Sequence, residues 1–139
     1  MTGAGVVGFR PRFLEVAMTT GGGVRERSFA FAKRVVRVYR YLISEKREHT
    51  LSRQLLRSGT SIGANIVEAQ CGISRRDFLS KMYIAYKESA ETAYWLRLLY
   101  ETGYLPDDAY RSIATDCDEI RRMLASITKT TRENATPHS

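Results

Sequence analysis

The sequence is short of the residues that carry most catalytic and metal chemistry. It has two histidines, one of them in the terminal "TPHS", and two cysteines, Cys71 and Cys117, far apart and outside any CxxC pair. That excludes a zinc cluster and a disulfide framework and fits a reducing compartment, with both cysteines read as small core residues. Only three prolines occur in 139 residues, so long stretches are free of helix breakers. Apolar runs stay well below the roughly 18 residues of a membrane span. Near the start, Arg10, Pro11 and Arg12 interrupt the apolar stretch that a signal peptide would need, so a cytoplasmic protein without membrane contact is expected. Neither an alternating strand pattern nor an internal repeat is present.

Acid is scarce relative to base. The chain holds 22 Lys+Arg against 15 Asp+Glu, a net charge of +7 and a pI of about 9.7, which makes polyanions its natural partners. Its length and 43% hydrophobic content suit one domain with a substantial core.

Residues 1–27 are Gly-rich, lack helical periodicity and include a second methionine, Met18, so they read as a flexible extension, disordered before about Arg25. Residues 131–139 read as a flexible tail. Between them, residues 28–130 carry four helices. The first runs from Ser28, as N-cap, to about Arg47, with Phe31, Val35, Val38 and Leu42 on its apolar face. The second runs from about Thr50 to Gln70 along Leu51, Leu55, Ile62, Ile66 and Ala69, with Gly72 placed to supply a left-handed cap. The third opens on a Ser74–Asp77 capping box and continues to about Thr102. It carries two apolar faces, one through Met82, Ala85 and Leu96 and one through Leu79, Tyr83, Tyr86 and Tyr94, which asks for two partners. The fourth follows Pro106, with Tyr110, Ile113, Cys117, Ile120, Leu124 and Ile127 as a bundle seam. Short connections imply antiparallel neighbours, so the expected fold is an all-α, up-down-up-down four-helix bundle.

One stretch of the second helix stands out: "RSGTSIGANIVE", Arg57 to Glu68. Gly59 and Gly63 each cost about 1 kcal/mol relative to Ala inside a helix, and close packing on a neighbour would offset that. The stretch is not a Walker loop, since no Lys follows its last Gly and no strand precedes it. Ser61, Asn65 and Glu68 share a face but have no base beside the serine, so hydrogen bonding between helices or subunits is the better reading. Glu68, Glu88 and Glu91 lack the Glu-x-x-His pairs of a carboxylate metal site, and no metal or other cofactor is expected. Tyr83, Tyr86, Tyr94, Trp95 and Tyr100 could stack bases, but aromatics at helical spacing belong more often to a core or interface.

"RSGTSIGANIVEA", followed by "DFLSKMYIAYKESAETAYWL" and "TGYL", resembles the four-helix bundle family encoded by intervening sequences in bacterial 23S ribosomal RNA genes. The likeness covers about Phe29 to Thr128. It implies homopentamers of such bundles, with nucleic-acid binding as the role usually suggested. The positions it marks are Arg57, Ser58, Ser61, Ile62, Asn65, Ile66 and Glu68, with Ser89 and Glu91 on the third helix. Ala69 and Glu88 stand where the family usually has glycine.

The functional expectation combines these strands. Residues 28–48 hold six Lys/Arg and two Glu, and Lys33, Arg37, Arg40 and Arg47 fall on one stripe of the first helix. The stripe, with Arg34 beside it and Arg53 and Arg57 from the second helix, is expected to contact RNA or DNA through phosphates, since no Asn or Gln is interleaved to read base edges. Ser58, Gly59, Ser61, Gly63, Asn65, Glu68, Ser89 and Glu91 are expected to serve packing and interfaces. No nucleophile, base and oxyanion set can be assembled, so the chain is read as non-enzymatic. The alternative is a structural or protein-binding module, for example an accessory subunit to a reverse transcriptase, in which charge serves solubility.

Overall fold

The computed structural model describes residues 23–135, with side chains through Thr131; the segments read above as flexible, apart from residues 23–27 and 131–135, lie outside the described residues. Four helices follow in order: α1 (Val24–Ser44), α2 (Leu51–Gln70), α3 (Arg75–Glu101) and α4 (Asp107–Ala135). Each packs on its neighbours in sequence, and α1 closes the ring against α4.

Cross-helix pairs fix the direction of each helix. Arg25 meets Gln70, while further along α1 the side chain of Val35 lies at Gly59, so α1 and α2 run antiparallel. Arg57 meets Glu91 and Glu68 meets Lys81, which reverses α3 relative to α2. Ser89 meets Cys117 and Tyr100 meets Tyr110 across α3 and α4. Arg34 meets Asp116 and Arg27 meets Glu119 across α4 and α1. The bundle is therefore up-down-up-down, around a core in which Phe31, Leu42, Leu55, Ile62, Ile66, Leu96, Ile120 and Leu124 are fully buried. These are the residues that helical periodicity places inward.

Helix ends depart from the sequence reading in several places. The first helix starts at Val24, with Gly23 as N-cap, four residues before Ser28. Ser28 is buried and its hydroxyl donates to the Arg25 carbonyl at 2.9 Å, so it packs inside the helix rather than capping it. At the other end α1 stops at Ser44, and Arg47 has φ 53°, off the helix. Gly72 does not take the left-handed conformation; among the described glycines that belongs to Gly103, at φ 90°, where the Tyr104 amide bonds back to the Leu99 carbonyl at 2.9 Å. A Cβ on Gly72 would instead sit 3.1 Å from the Ala69 carbonyl oxygen. The last helix continues to Ala135 rather than ending near residue 130. Its polar final turn has no apolar rhythm, yet it also has no breaker before Pro137.

Two caps are well built. Ser74 accepts from the Asp77 amide at 3.0 Å, as the sequence predicts. At the start of α2 the capping group is Glu48, whose carboxylate accepts from the amides of Thr50, Leu51 and Ser52 at 3.0, 3.0 and 2.7 Å. Partial burial alone would raise the Glu48 pKa, but the hydrogen bonds from Leu51, Ser52 and Thr50 outweigh it and hold the carboxyl below its ordinary 4.5. A depressed pKa means that Glu48 stabilises the fold above pH 4.5, with that contribution lost as pH falls through the folded value. Glu48→Gln is therefore expected to cost about 1 kcal/mol at pH 7 and to flatten the acid limb of the stability curve. Urea melts from pH 7 to 3 check this; parallel curves for wild type and variant would overturn it.

Candidate functional site

The outward side of α1 is built by the same periodicity that fills the core. With Phe31, Val35, Val38 and Leu42 turned inward, Lys33, Arg37 and Arg40 emerge on the opposite side, all exposed. No acidic partner lies within 4 Å of any of the three among the described residues. Beside them runs an apolar groove between α1 and α2, about 700 Å³ in volume, lined by Phe29, Ala32, Gly63, Ala64 and Val67 among others. A smaller concavity of about 300 Å³ continues it along α1 past Phe29, Ala32 and Val36 to Lys33, Arg37 and Arg40. Phe29 is 65% exposed, and the Lys33 ammonium sits 5.4 Å from its ring centroid.

The other cations of the expected surface go elsewhere. Arg34 is only 3% exposed and points between α1 and α4, where it pairs with Asp116 and donates to the Ser112 hydroxyl at 3.0 Å. It cannot reach a nucleic acid without leaving the core, which corrects its assignment to the basic surface. The signal was present in the sequence: Arg34 lies three residues after Phe31 and four before Val38, on the apolar stripe itself. Asp116 likewise interrupts the seam of α4, three residues after Ile113 and four before Ile120. Arg57 is engaged by two acids of α3, with Glu88 at 3.3 Å and Glu91 closer still. Arg47 is exposed but off the helix, so it leaves the stripe, and Arg53 is exposed in the first turns of α2.

The small-residue stretch divides its tasks along α2. A Cβ on Gly59 would lie 2.8 Å from both methyl groups of Val35, and one on Gly63 would lie 3.2 Å from the Ser28 hydroxyl. The two glycines thus let α1 and α2 approach closely. Ser58 is fully buried and accepts a hydrogen bond from Thr92 of α3 at 2.9 Å. Asn65 donates to the Ser61 carbonyl at 2.9 Å, and Glu68 pairs with Lys81 at 3.0 Å. Ser61, Asn65 and Glu68 therefore form no convergent polar centre. Glu88 meets Arg57 at 3.3 Å, and Ala69 on α2 is buried.

On α3, Ser89 is buried against α4, where the Cys117 thiol faces its carbonyl at 3.5 Å. Burial pushes the Cys117 thiol up to about 12, so it is no nucleophile. Cys71, read as a core residue, is exposed just after α2. Glu91 accepts from the Trp95 indole at 2.9 Å and from Arg57, and these two bonds, the indole first, hold its carboxyl below the usual range. Tyr100 stacks on Tyr110 at 4.2 Å, so its ring is occupied within the bundle. Among the described residues, no three His, Cys, Asp or Glu side chains are grouped to hold a metal ion, and no helix is long and apolar enough to cross a membrane.

Comparison with known proteins places this architecture. No curated protein matches the chain. A crystal structure from Bacteroides thetaiotaomicron, described as a protein with unknown function from the S23 ribosomal protein family, matches at 50% identity and a TM-score of 0.75. The match covers 76% of this chain and 95% of that one. Neither that description nor the family's indicates an enzyme. The pattern of the 23S rRNA-intervening sequence protein family matches residues 23–126, which takes in almost all of the bundle with its Arg57–Glu68 stretch, and the chain belongs to that family.

Proposed function

We propose that the protein is a non-enzymatic, cytoplasmic helical bundle that binds nucleic acid through phosphate contacts, with little sequence preference. The observation that carries this reading is the ridge of Lys33, Arg37 and Arg40: three exposed cations on consecutive turns of one helix, without acidic partners among the described residues. Ion pairs within the bundle engage Arg27, Arg34, Arg57 and Lys81, whereas the three cations of the ridge share one face of one helix, where a phosphate backbone could follow them.

A homo-oligomer, with a pentamer favoured by the family resemblance, would multiply this ridge. The second apolar face of α3 supports association, since its Tyr94 is 59% exposed in the single chain. The rival reading is a protein-binding module that uses the same α3 face and needs no nucleic acid.

Binding should weaken steeply with salt, through release of counterions. Arg37→Ala combined with Arg40→Ala is expected to reduce the slope of log affinity against log salt by about two per protomer engaged. Fluorescence anisotropy on a labelled RNA across a salt series reads this directly, and light scattering on the same sample reads the assembled mass against the 15.8 kDa protomer. An unchanged slope would mean that the ridge is only a solvated face.

A further inference from the structure

Resting on that reading, we propose that the α1 ridge and its adjoining concavity form a site for single-stranded nucleic acid, in which Phe29 stacks a base while Lys33, Arg37 and Arg40 hold phosphates. Four observations point there. Phe29 is the most exposed aromatic side chain among the described residues, 65% open, although its helix has a full apolar face turned to the core. It lines both the groove between α1 and α2 and the smaller concavity along α1, so it belongs to a continuous exposed apolar surface and not to the core. The concavity beside it is floored by Ala32 and Val36, small and apolar enough to admit a planar ring, and is rimmed by the three cations. Lastly, the Lys33 ammonium lies 5.4 Å from the Phe29 centroid, which sets a cation for phosphate next to the ring proposed to stack a base.

The combination selects the strand state. From Lys33 to Arg40 the helix rises by about 10 Å, so the cations track a short run of backbone in line with the ring. A duplex keeps its base faces stacked on one another and could use only the cations. A single strand offers both phosphates and free base faces, and an aromatic platform beside a basic track is the usual way such strands are held without sequence readout. The ring is tolerant of base identity because every base has a π-face, in keeping with the absence of base-edge donors on this ridge.

The test compares a labelled 20-nucleotide oligo(U) with a duplex RNA of equal length, on wild type, Phe29→Ala and Phe29→Trp. Phe29→Ala is expected to weaken oligo(U) binding roughly 5- to 150-fold while leaving duplex affinity and the salt slope unchanged, and Phe29→Trp is expected to retain or improve oligo(U) binding. Equal loss on both ligands, or no loss on oligo(U), would overturn the stacking role yet leave phosphate binding standing. Binding to neither ligand at low salt would remove both readings. If Phe29→Ala instead lowers the assembled mass in light scattering, the groove is covered by another copy of the chain and the site does not exist.

Discussion

Replacing Asp116 by alanine is expected to lower the unfolding free energy by about 3–5 kcal/mol, because it removes the counter-charge from a guanidinium held in the core. Arg34 is 3% exposed and Asp116 7%, so water cannot solvate the charge left behind without opening the α1–α4 contact. In a domain of this size the loss corresponds to a fall in melting temperature of roughly 10–20 °C. The converse variant, Arg34→Met with Asp116→Leu, is expected to return most of the stability, since two apolar side chains of similar volume avoid the desolvation of both ions. Urea denaturation at fixed protein concentration separates the cases. A loss below about 1 kcal/mol for Asp116→Ala would show that the pair is solvated and unimportant. The pair also joins a residue near the middle of α1 to one in the second turn of a seam, so it specifies which face of α4 meets α1, as polar core residues do in other bundles.

The second large effect is expected at Gly59. Gly59→Val should cost about 3 kcal/mol, because its Cβ would stand 2.8 Å from both Val35 methyls and the added branches have nowhere to go. Gly59→Ala should lose less, near 1 kcal/mol, since about 1 kcal/mol of gained helix propensity offsets part of the overpacking. Adding Val35→Ala to Gly59→Ala is expected to restore stability with a coupling of about 1 kcal/mol, the sign that the two side chains compete for one volume. Gly63→Ala is the contrast. Its nearest obstacle is the Ser28 hydroxyl at 3.2 Å, and the result should be close to neutral. A Gly59→Val variant as stable as wild type would mean that α1 and α2 can slide apart freely. Such sliding would also widen the groove beside Phe29, which links this packing point to the proposed site.

Much of this protein was legible in its sequence because helical periodicity is a local property. The inward positions of all four helices, the Ser74 cap, the seam of α4 and the close-packing use of Gly59 follow from spacing and residue size alone. The family was legible too, through "RSGTSIGANIVEA" on α2. What spacing cannot supply is the partner of a charged side chain. Arg34 and Lys33 are neighbours in the chain, yet a rotation of about 100° sends one into the core and leaves the other in solvent. Arg57 finds its acids 31 and 34 residues away on α3, a distance that only helix packing closes. The start of α1 was missed for the same reason: a Gly-rich approach carries no rhythm, and Val24 and Ser28 become helical core only because α2 offers glycine and a shared surface there. The sequence by itself thus determined the class of fold and the faces of its helices. Tertiary structure decided which cations of the expected surface stay together on it, because burial and ion pairing depend on the helix across the interface: Arg34 and Arg57 are drawn into pairs, while Lys33, Arg37 and Arg40 stand exposed beside Phe29.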